Sequence, residues 1–587
     1  MNTVQPMYEW NTLPWRKIER NVFKLQKRIY QASRRGDVEK VRKLQKLLTK
    51  SWSARALATR RVTQDNSGKK TAGIDGLASL SPKIRLILVE SLRKDEGKPA
   101  PTRRVWIDKP GTDEKRPLGI PTIFDRAKQA LLKISLEPEW EARFEPNSYG
   151  FRPGRSAHDA IEAIFAAIRM KPKYVLDADI AKCFDRIDHD ALLKKLNTSP
   201  WIKRLVRAWL KAGVMDNFKY HQTNEGTPQG GVISPLLANI ALHGMENRIK
   251  QYAQTLPGQK GKNRSALSLI RYADDFVILH ENLEVVQKCQ QIITDWLSEV
   301  GLELKAAKTR IGHTLEKVGD GIPGFDFLGF NIRQYQVSKY NSGKRMSGYK
   351  TLIKPSKKAV IKQAKKIREV IRSKKAAPQK AVISKLNPMI RGWANYYSSA
   401  ISRKYFEVLD DLTHWKLWRW AKFRHPHKGE QWVKRKYFRT HGQKNWAFKE
   451  EEGSFLFSHT DVAIVRHVKI QGDRSPYDGD WVYWSLRMGK HPEIPKRVAT
   501  LLKGQKGKCS QCGLQFKLED LMEVHHLDRN RKNNKQDNLA LLHRHCHDRV
   551  HGSMNDNHQV VEEPDEAKVS RPVLKTSTLS DGCAEFI

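Results

Sequence analysis

The run "SLIRYADDFVIL" (residues 268–279) sets two adjacent carboxylates, Asp274 and Asp275, inside a segment whose Ile270, Tyr272, Phe276, Ile278 and Leu279 read as a buried strand. Two ionised neighbours in a low-dielectric setting repel, and one takes up a proton unless cations neutralise the pair. Successive strand residues point to opposite faces, so both acids reach one place only if they sit in a hairpin turn. A second acidic strand is then needed. "YVLDADIAKCFDRIDHDAL" (174–192) supplies it: 175–180 reads as a buried strand leading into a helix, with Asp177 and Asp179 on one face. Asp185 and Asp188 fall on the turn or helix that follows. A solvated turn is the simpler reading of a lone Asp-Asp pair, but two acidic strands in one chain favour chemistry. Asp179, Asp274 and Asp275 would form a carboxylate cluster able to hold two Mg²⁺ about 4 Å apart, an arrangement that activates a 3′-hydroxyl and stabilises a leaving pyrophosphate.

The chain has 587 residues, enough for several cores, and its 108 Lys+Arg against 63 Asp+Glu give a net charge of +45. So large an excess implies a polyanionic partner, with nucleic acid the default. The start "MNTVQPMYEWNTLPWRKIER" lacks the apolar stretch of a signal peptide, and no apolar run approaches the roughly 20 residues of a spanning helix. No membrane role and an intracellular setting are therefore expected. Six cysteines in a chain this long do not form a disulfide framework. Cys509, Cys512 and Cys546 cluster near the end and point to a metal instead.

Apolar residues at helical spacing from Trp15 to about Arg61, among many Lys and Arg, predict a basic helical N-terminus. "RRVWIDKPGTDEKRPLGIPTIFDRAKQALLKISLEPEWEARF" predicts a strand, a Gly-containing turn, a second strand and a helix. Strands and helices alternate to about Ile332, as in an α+β or α/β catalytic module. Residues 354–380 read as a basic helix, and the stretch after them is helical and dense in aromatics interleaved with Arg and Lys, a texture that suits stacking on bases. From Lys428 to Lys496 the texture is basic, tryptophan-containing and strand-rich, without assignable chemistry. After His551 the polar tail is expected to be disordered.

"YADD", preceded by "RPLGIP", "DIAKCFDRIDH" and "GTPQGGVISPLLANIAL" and followed by "GLELKAAKTR" and "FDFLGF", resembles in order the blocks of reverse transcriptases, most closely those encoded by group II introns. The resemblance runs from about Gly73 to His551. It implies that Asp179 and Asp274 bind the catalytic metals with Asp275 as the third acid. Phe184 would lie beneath the incoming sugar and exclude a 2′-hydroxyl. Arg116, helped by Lys109, would hold the triphosphate. Gln229 would contact the incoming nucleotide, with Gly230 and Gly231 allowing close backbone approach, and Lys308 resembles a family lysine near the primer. Singly, the glycines read as a tight turn and Lys308 as a surface charge. "SKLNPMIRGWANYYSSA" with "LWRWAKFRHPHK" resembles the maturase region that serves as polymerase thumb, with Arg391, Trp393 and Tyr396 as RNA contacts. Equally, Trp393 and Tyr397, four apart on one helical face, read as thumb core. The basic N-terminal helices would anchor the intron.

Cys509-x-x-Cys512 and His543-x-x-Cys546 have the spacing of a tetrahedral structural zinc site. The family usually shows Cys where His543 stands, a change zinc tolerates. "EVHHLDR" and "DNLALLHRHCHDRVH" resemble the HNH nuclease motif, a strand pair followed by a helix. The resemblance implies His525, His547 and His551 around one Mg²⁺-type ion, His526 as general base on water and Asn538 orienting the loop, with Glu523 assisting. A purely structural zinc module is the alternative.

The expected fold is multidomain α+β: a basic N-terminal extension (1–72), right-hand reverse transcriptase fingers and palm (73–345), an α-helical thumb or maturase X domain (346–428), a basic DNA-binding region (429–500), a ββα-metal HNH domain with structural zinc (501–556) and a tail (557–587). The expected activity is that of an RNA-directed DNA polymerase, splicing maturase and HNH endonuclease. Its partners would be group II intron RNA in a ribonucleoprotein, target DNA and dNTPs. A homodimer is left open, and the setting is cytoplasm or nucleoid, in a bacterial rather than an organellar host. The competing reading is an RNA-binding splicing cofactor whose polymerase is dispensable.

Overall fold

The computed structural model describes residues 9–552 apart from 94–97, 109–114, 218, 320, 338–347, 452, 489–493 and 517–519. The tail beyond Gly552, with its expected disorder, lies outside the described residues. Ile18, Val22 and Ile29 recur on the buried face of α1 (Trp15–Arg34). The Asp37 carboxylate accepts from the Lys40 N–H and caps α2 (Val38–Lys50). With α3 (Trp52–Arg60) and α4 (Pro82–Ser91) these helices close a core on Ala130, Leu131 and Ile134 of α5 (Ile123–Glu141). The core therefore runs across the expected boundary at residue 72. Gln26 Nε2 donates to the Ile134 carbonyl at 2.9 Å, so even its polar groups are shared.

β1 (Thr102–Asp108) and β2 (Lys115–Ile120) pair antiparallel, as the alternation predicts. A capping box between Ser156 and Asp159 starts α6 (Ala157–Ile168), which leads to β3 (Tyr174–Asp179). Next come α7 (Cys183–Arg186), α8 (His189–Leu196), α9 (Pro200–Leu210), β4 (Val214–Asp216) and β5 (Lys219–His221). The chain returns through α10 (Ser234–Leu242), α11 (Met245–Ala253) and α12 (Lys260–Ala266) to the hairpin β6 (Ser268–Tyr272) and β7 (Asp275–His280), then α13 (Leu283–Ser298) and β8 (Arg310–His313). One sheet has the order β2-β1-β4-β5; the sheet that bears the acids, in the stretch expected to form the palm, has the order β6-β7-β3-β8, all antiparallel.

Leu176, Phe276 and Ile278 face α10, α11 and α13, whereas Val175, Val277 and Leu279 face α6 and the three-stranded sheet of β9 (Phe325–Phe327), β10 (Phe330–Gln336) and β11 (Tyr349–Pro355). Both faces of the palm sheet are covered, which is why its strands read as near-continuous apolar runs. Each such side chain contributes about 1.5–3 kcal/mol on full burial.

The stretch expected to form the thumb folds as α14 (Lys357–Ser373), α15 (Gln379–Tyr397) and α16 (Arg403–Arg424). Its core does not stop at 428. It takes in Val433 and Tyr437 of α17 (Glu430–Tyr437) and Phe438 and Phe448 of the hairpin β12 (Phe438–His441) and β13 (Lys444–Phe448). The expectation of a strand-rich region over 428–496 is corrected: that hairpin holds its only strands among the described residues. Residues 462–480 instead form an irregular strap over the palm, because its groups find partners there. Asp159, fully buried, accepts from His467 Nε2 at 3.0 Å, the Ile470 N–H at 2.8 Å and Arg487 Nη2 at 2.5 Å. Arg155 donates to the carbonyls of Gly472 and Arg474.

The strap ends in α18 (Trp481–Met488), whose Trp484 sits in the palm core over Gly154 while Trp481 and Val482 enter the core of the C-terminal unit. That unit consists of α19 (Lys496–Gly504), β14 (Met522–His526), β15 (Leu539–His543) and α20 (Arg544–Gly552). Among the described residues no helix is long and apolar enough to cross a membrane, and five cysteines are free.

Candidate functional site

The β6–β7 hairpin closes on the pair Tyr272 and Asp275, leaving a two-residue turn of Ala273 and Asp274. Ala273 has φ +59°, as a tight hairpin turn demands. Asp275, the first residue of β7, lies opposite Asp179, the last of β3. Asp179 and Asp275, at paired strand ends, and Asp274, in the adjoining turn, thus stand at one end of the palm sheet. Burial, followed by the charges of Asp274 and Asp179, pushes the Asp275 carboxyl up to about 7. Burial and the Asp179 charge also raise Asp274. Such acids offer the hard oxygen donors that a divalent cation takes, and its charge would relieve their repulsion.

Lys308 Nζ donates to Asp179 Oδ2 at 2.5 Å, a bond that holds the ammonium above its ordinary value. Asp177 is paired instead with Arg310 Nε at 3.2 Å. A cleft of about 600 Å³ is lined by Asp177, Asp179, Asp275, Lys308, Arg310 and Asp326.

A second cleft of about 410 Å³ is lined by Arg104, Trp106, Gly119, Phe184, Asp185 and Gln229 among others. Here the 227–231 loop lies on β2: the Gly119 N–H donates to the Gln229 carbonyl at 2.6 Å, and a Cβ on Gly230 (φ +118°) would fall 2.8 Å from the Gly119 carbonyl oxygen. Gln229 Nε2 donates to both carboxylate oxygens of Asp185 at 3.1 Å, a partnership that the spacing of the two motifs did not reveal. Phe184 meets Phe151 edge to face at 6.1 Å. Arg116 is exposed on β2, and its charge acts on Asp274. Lys109 lies outside the described residues.

In the thumb, Arg391 is exposed with its guanidinium over the Phe457 ring at 4.7 Å. Trp393 and Tyr396, expected as RNA contacts, are each half-buried. Trp393 packs on Tyr397 (4.5 Å between ring centroids), Phe406 and His459, and Tyr396 stacks near Phe330 while its hydroxyl donates to the Leu328 carbonyl at 2.9 Å. The Tyr396 and Tyr397 hydroxyls, donating to the Leu328 and Gly329 carbonyls, tie α15 to the 327–330 segment. Larger exposed rings were missed: Trp415 and Phe423 on α16 and Trp446 on β13, the last with Lys434 Nζ 3.8 Å above it.

In the C-terminal unit, β14 and β15 pair antiparallel and α20 follows, the strand pair and helix expected. His525 of β14 and His547 and His551 of α20 bring their ring nitrogens within 4.8 Å of one another. Glu523 shares the His525 face, and its Oε2 is 2.9 Å from His547 Nδ1, which orients that ring. His526 faces the other side of the strand, its Nε2 3.3 Å from Asn534 Oδ1. Asn538 pins the intervening loop: Nδ2 donates to Asp528 Oδ1 at 2.7 Å and to the Asn533 carbonyl at 2.9 Å, and Oδ1 accepts from the Asp528 N–H.

Cys509, Cys512, His543 and Cys546 form a separate cluster whose ligand atoms all lie within 4.8 Å. His543 turns Nδ1 toward Cys512 Sγ (3.3 Å) and Nε2 toward Asp520 (3.3 Å), the outer-shell carboxylate typical of a ligating imidazole.

Models of known families match four stretches of the chain. They are the N-terminal domain of reverse transcriptase over 10–92, reverse transcriptase (RNA-dependent DNA polymerase) over 107–332, the group II intron maturase-specific domain over 361–438 and HNH endonuclease over 509–553. The group II intron-encoded protein LtrA of Lactococcus lactis subsp. cremoris is 31% identical over 425 residues, 57% of this chain and 67% of that protein. Protein YkfC of Escherichia coli (strain K12) is 31% identical over 331 residues, 50% of this chain and 83% of that protein. An uncharacterized 91 kDa protein in the cob intron of Schizosaccharomyces pombe is 29% identical over 408 residues, 58% and 49% of the two chains. With the acidic palm and the ββα histidine site in place, these likenesses settle the family: the chain belongs to the group II intron-encoded proteins, and unites a reverse transcriptase, an intron maturase domain and an HNH endonuclease.

Proposed function

We propose that Asp179, Asp274 and Asp275 carry the polymerase reaction and that His526 carries strand nicking. The observation that supports the first is the pairing of Asp179 with Asp275 at the end of the sheet, both lining one cleft, with Asp274 in the adjoining β6–β7 turn. Bound there, two Mg²⁺-type ions would supply the charge that favours an ionised primer hydroxyl and a departing pyrophosphate. The chain's own groups do the rest. Arg116, with Lys109, binds the triphosphate; Gln229, oriented by Asp185, meets the incoming nucleotide; Phe184 excludes a 2′-hydroxyl from the sugar pocket; and Lys308 holds Asp179 in place. Intron RNA would be gripped by Arg391 together with the exposed Trp415, Phe423 and Trp446, whose rings suit stacking on unpaired bases.

In the endonuclease, His526 takes the proton from the attacking water while Asn538 fixes the loop beside it. His525, His547 and His551 would hold one Mg²⁺-type ion, which supplies a charge opposite the scissile phosphate. Cys509, Cys512, His543 and Cys546 would hold structural Zn²⁺, a soft donor set suited to that ion. The sequence of events is target-primed: intron RNA enters one DNA strand, the endonuclease nicks the other, and the new 3′-hydroxyl primes copying of the RNA. Primer extension on an RNA template by the parent and by Asp274→Ala tests the polymerase assignment. Extension should fall by about a thousandfold or more; equal activity rejects it and leaves the splicing cofactor.

A further inference from the structure

Arg271 stands three residues before Asp274 and is fully buried, yet among the described residues it has no carboxylate within ion-pair distance. Burial pushes its guanidinium down to about 10, so it stays charged at neutral pH. Burying an unpaired cation is unfavourable and calls for compensation by hydrogen bonds. Those bonds converge on the catalytic turn. Nη1 donates to the Ala273 carbonyl at 3.0 Å and to Asn239 Oδ1 at 3.1 Å, and Nη2 donates to Ser148 Oγ at 2.8 Å. Asn239 Nδ2 in turn donates to the Gly150 carbonyl at 2.8 Å. Gly150 touches the turn from behind: a Cβ there would fall 2.2 Å from the Ala273 nitrogen. The backbone of residues 147–149 also brackets Arg271, whose N–H donates to the Asn147 carbonyl and whose carbonyl accepts from the Tyr149 N–H, both at 2.9 Å. Ala273 is held at φ +59°, a conformation an L side chain rarely adopts, so something must maintain it.

We propose that Arg271 is a positioning residue of the polymerase, its guanidinium clamped by Ser148 and Asn239 so as to hold the Ala273 carbonyl and fix the turn that presents Asp274. The inference rests on the assignment of Asp274 to the polymerase site. Nothing in it requires Arg271 to touch nucleotide or primer. Its effect is on where the carboxylates stand, and a misplacement of about 1 Å at a reacting centre can slow a reaction a hundredfold.

The test compares full-length parent, Arg271→Lys, Ser148→Ala, Asn239→Ala and Asp274→Ala. Primer extension, DNA nicking, thermal unfolding and hydrogen exchange of the peptide spanning 272–276 are measured on each. For Arg271→Lys, kcat for extension should fall about tenfold or more with the dNTP KM within about twofold, nicking should be unchanged, and exchange in the turn should be faster. Ser148→Ala and Asn239→Ala should show the same pattern more weakly, and they decide the matter if Arg271→Lys fails to fold. Parental kcat and parental exchange in the folded variants overturn the proposal. So does a loss of extension matched by equal losses of nicking and melting temperature, which marks a merely structural residue. Full activity of Asp274→Ala would instead reject the carboxylate assignment, while the exchange readout still reports on the clamp.

Discussion

Lys308 Nζ lies 2.5 Å from Oδ2 of Asp179, so the last acid of β3 meets a cation of the chain itself at the mouth of the cleft. The contact ties the 306–308 turn to the palm and keeps one of three crowded carboxylates neutralised. Lys308 is half-exposed, and solvent screens much of its attraction. Lys308→Ala should therefore slow primer extension by roughly tenfold, well short of the loss from Asp274→Ala, and leave nicking unchanged. Steady-state extension with a synthetic RNA template and DNA primer measures both effects.

His526 and the palm acids belong to separate cores, and their reactions should separate. His526→Ala is expected to reduce nicking of target DNA by about a hundredfold to ten-thousandfold. Extension from a DNA strand already nicked should proceed at the parental rate. Loss of both activities would mean that the substitution had disturbed the fold rather than the base.

The Cys509, Cys512, His543 and Cys546 cluster should retain one transition-metal ion per chain through dialysis, measured by elemental analysis. Cys512, at the exposed side of the cluster, is the substitution least disruptive to packing. Cys512→Ser should lose the ion and lower the unfolding temperature of the C-terminal unit, with polymerase activity intact.

Asp159 lies where the strap meets the palm. Burial alone would raise its carboxyl, but the hydrogen bonds from His467 and the Ile470 N–H and the Arg487 charge outweigh it and hold it well below the usual carboxylate range. A depressed folded value means that its stabilisation is complete above the ordinary carboxylate pKa. It is lost only as pH falls below that range, toward the folded value. Asp159→Asn should cost about 3 kcal/mol at neutral pH, because the Arg487 guanidinium loses its buried carboxylate partner. The variant should also show a shallower loss of stability on acidification, read by denaturant unfolding between pH 7 and pH 3.

The turn at the acids was legible because a two-residue period sends adjacent strand residues to opposite faces, so a like-charged pair in an apolar run marks a hairpin end. The two metal half-sites were legible because Cys-x-x-Cys and His-x-x-Cys bring ligands together within a few residues. For Trp393 and Tyr396 helical spacing alone was not enough, because it is the same for a ring that packs within the protein and for one that faces RNA. Residues 429–500 were opaque for another reason: the partners of His467, Arg487 and Tyr477 are Asp159 and Glu137, some 300 positions earlier in the chain. Likewise, the strand pattern does not single out Arg271, whose partners Asn239 and Ser148 lie 32 and 123 positions earlier in the chain.

Helix α18 gives the molecule an unusual seam. One turn of it, around Trp484, belongs to the polymerase, and the turn before, at Trp481 and Val482, belongs to the endonuclease. The nuclease is thus not a bead on a string that can be snipped off behind the thumb. A deletion ending at Arg424 would leave Gly154 facing a vacant socket, and a transplanted nuclease lacking residues 481–488 would bring a raw apolar edge with it. Anyone exchanging the endonucleases of two such proteins should treat these eight residues as a dovetail and cut on neither side of Trp484 alone.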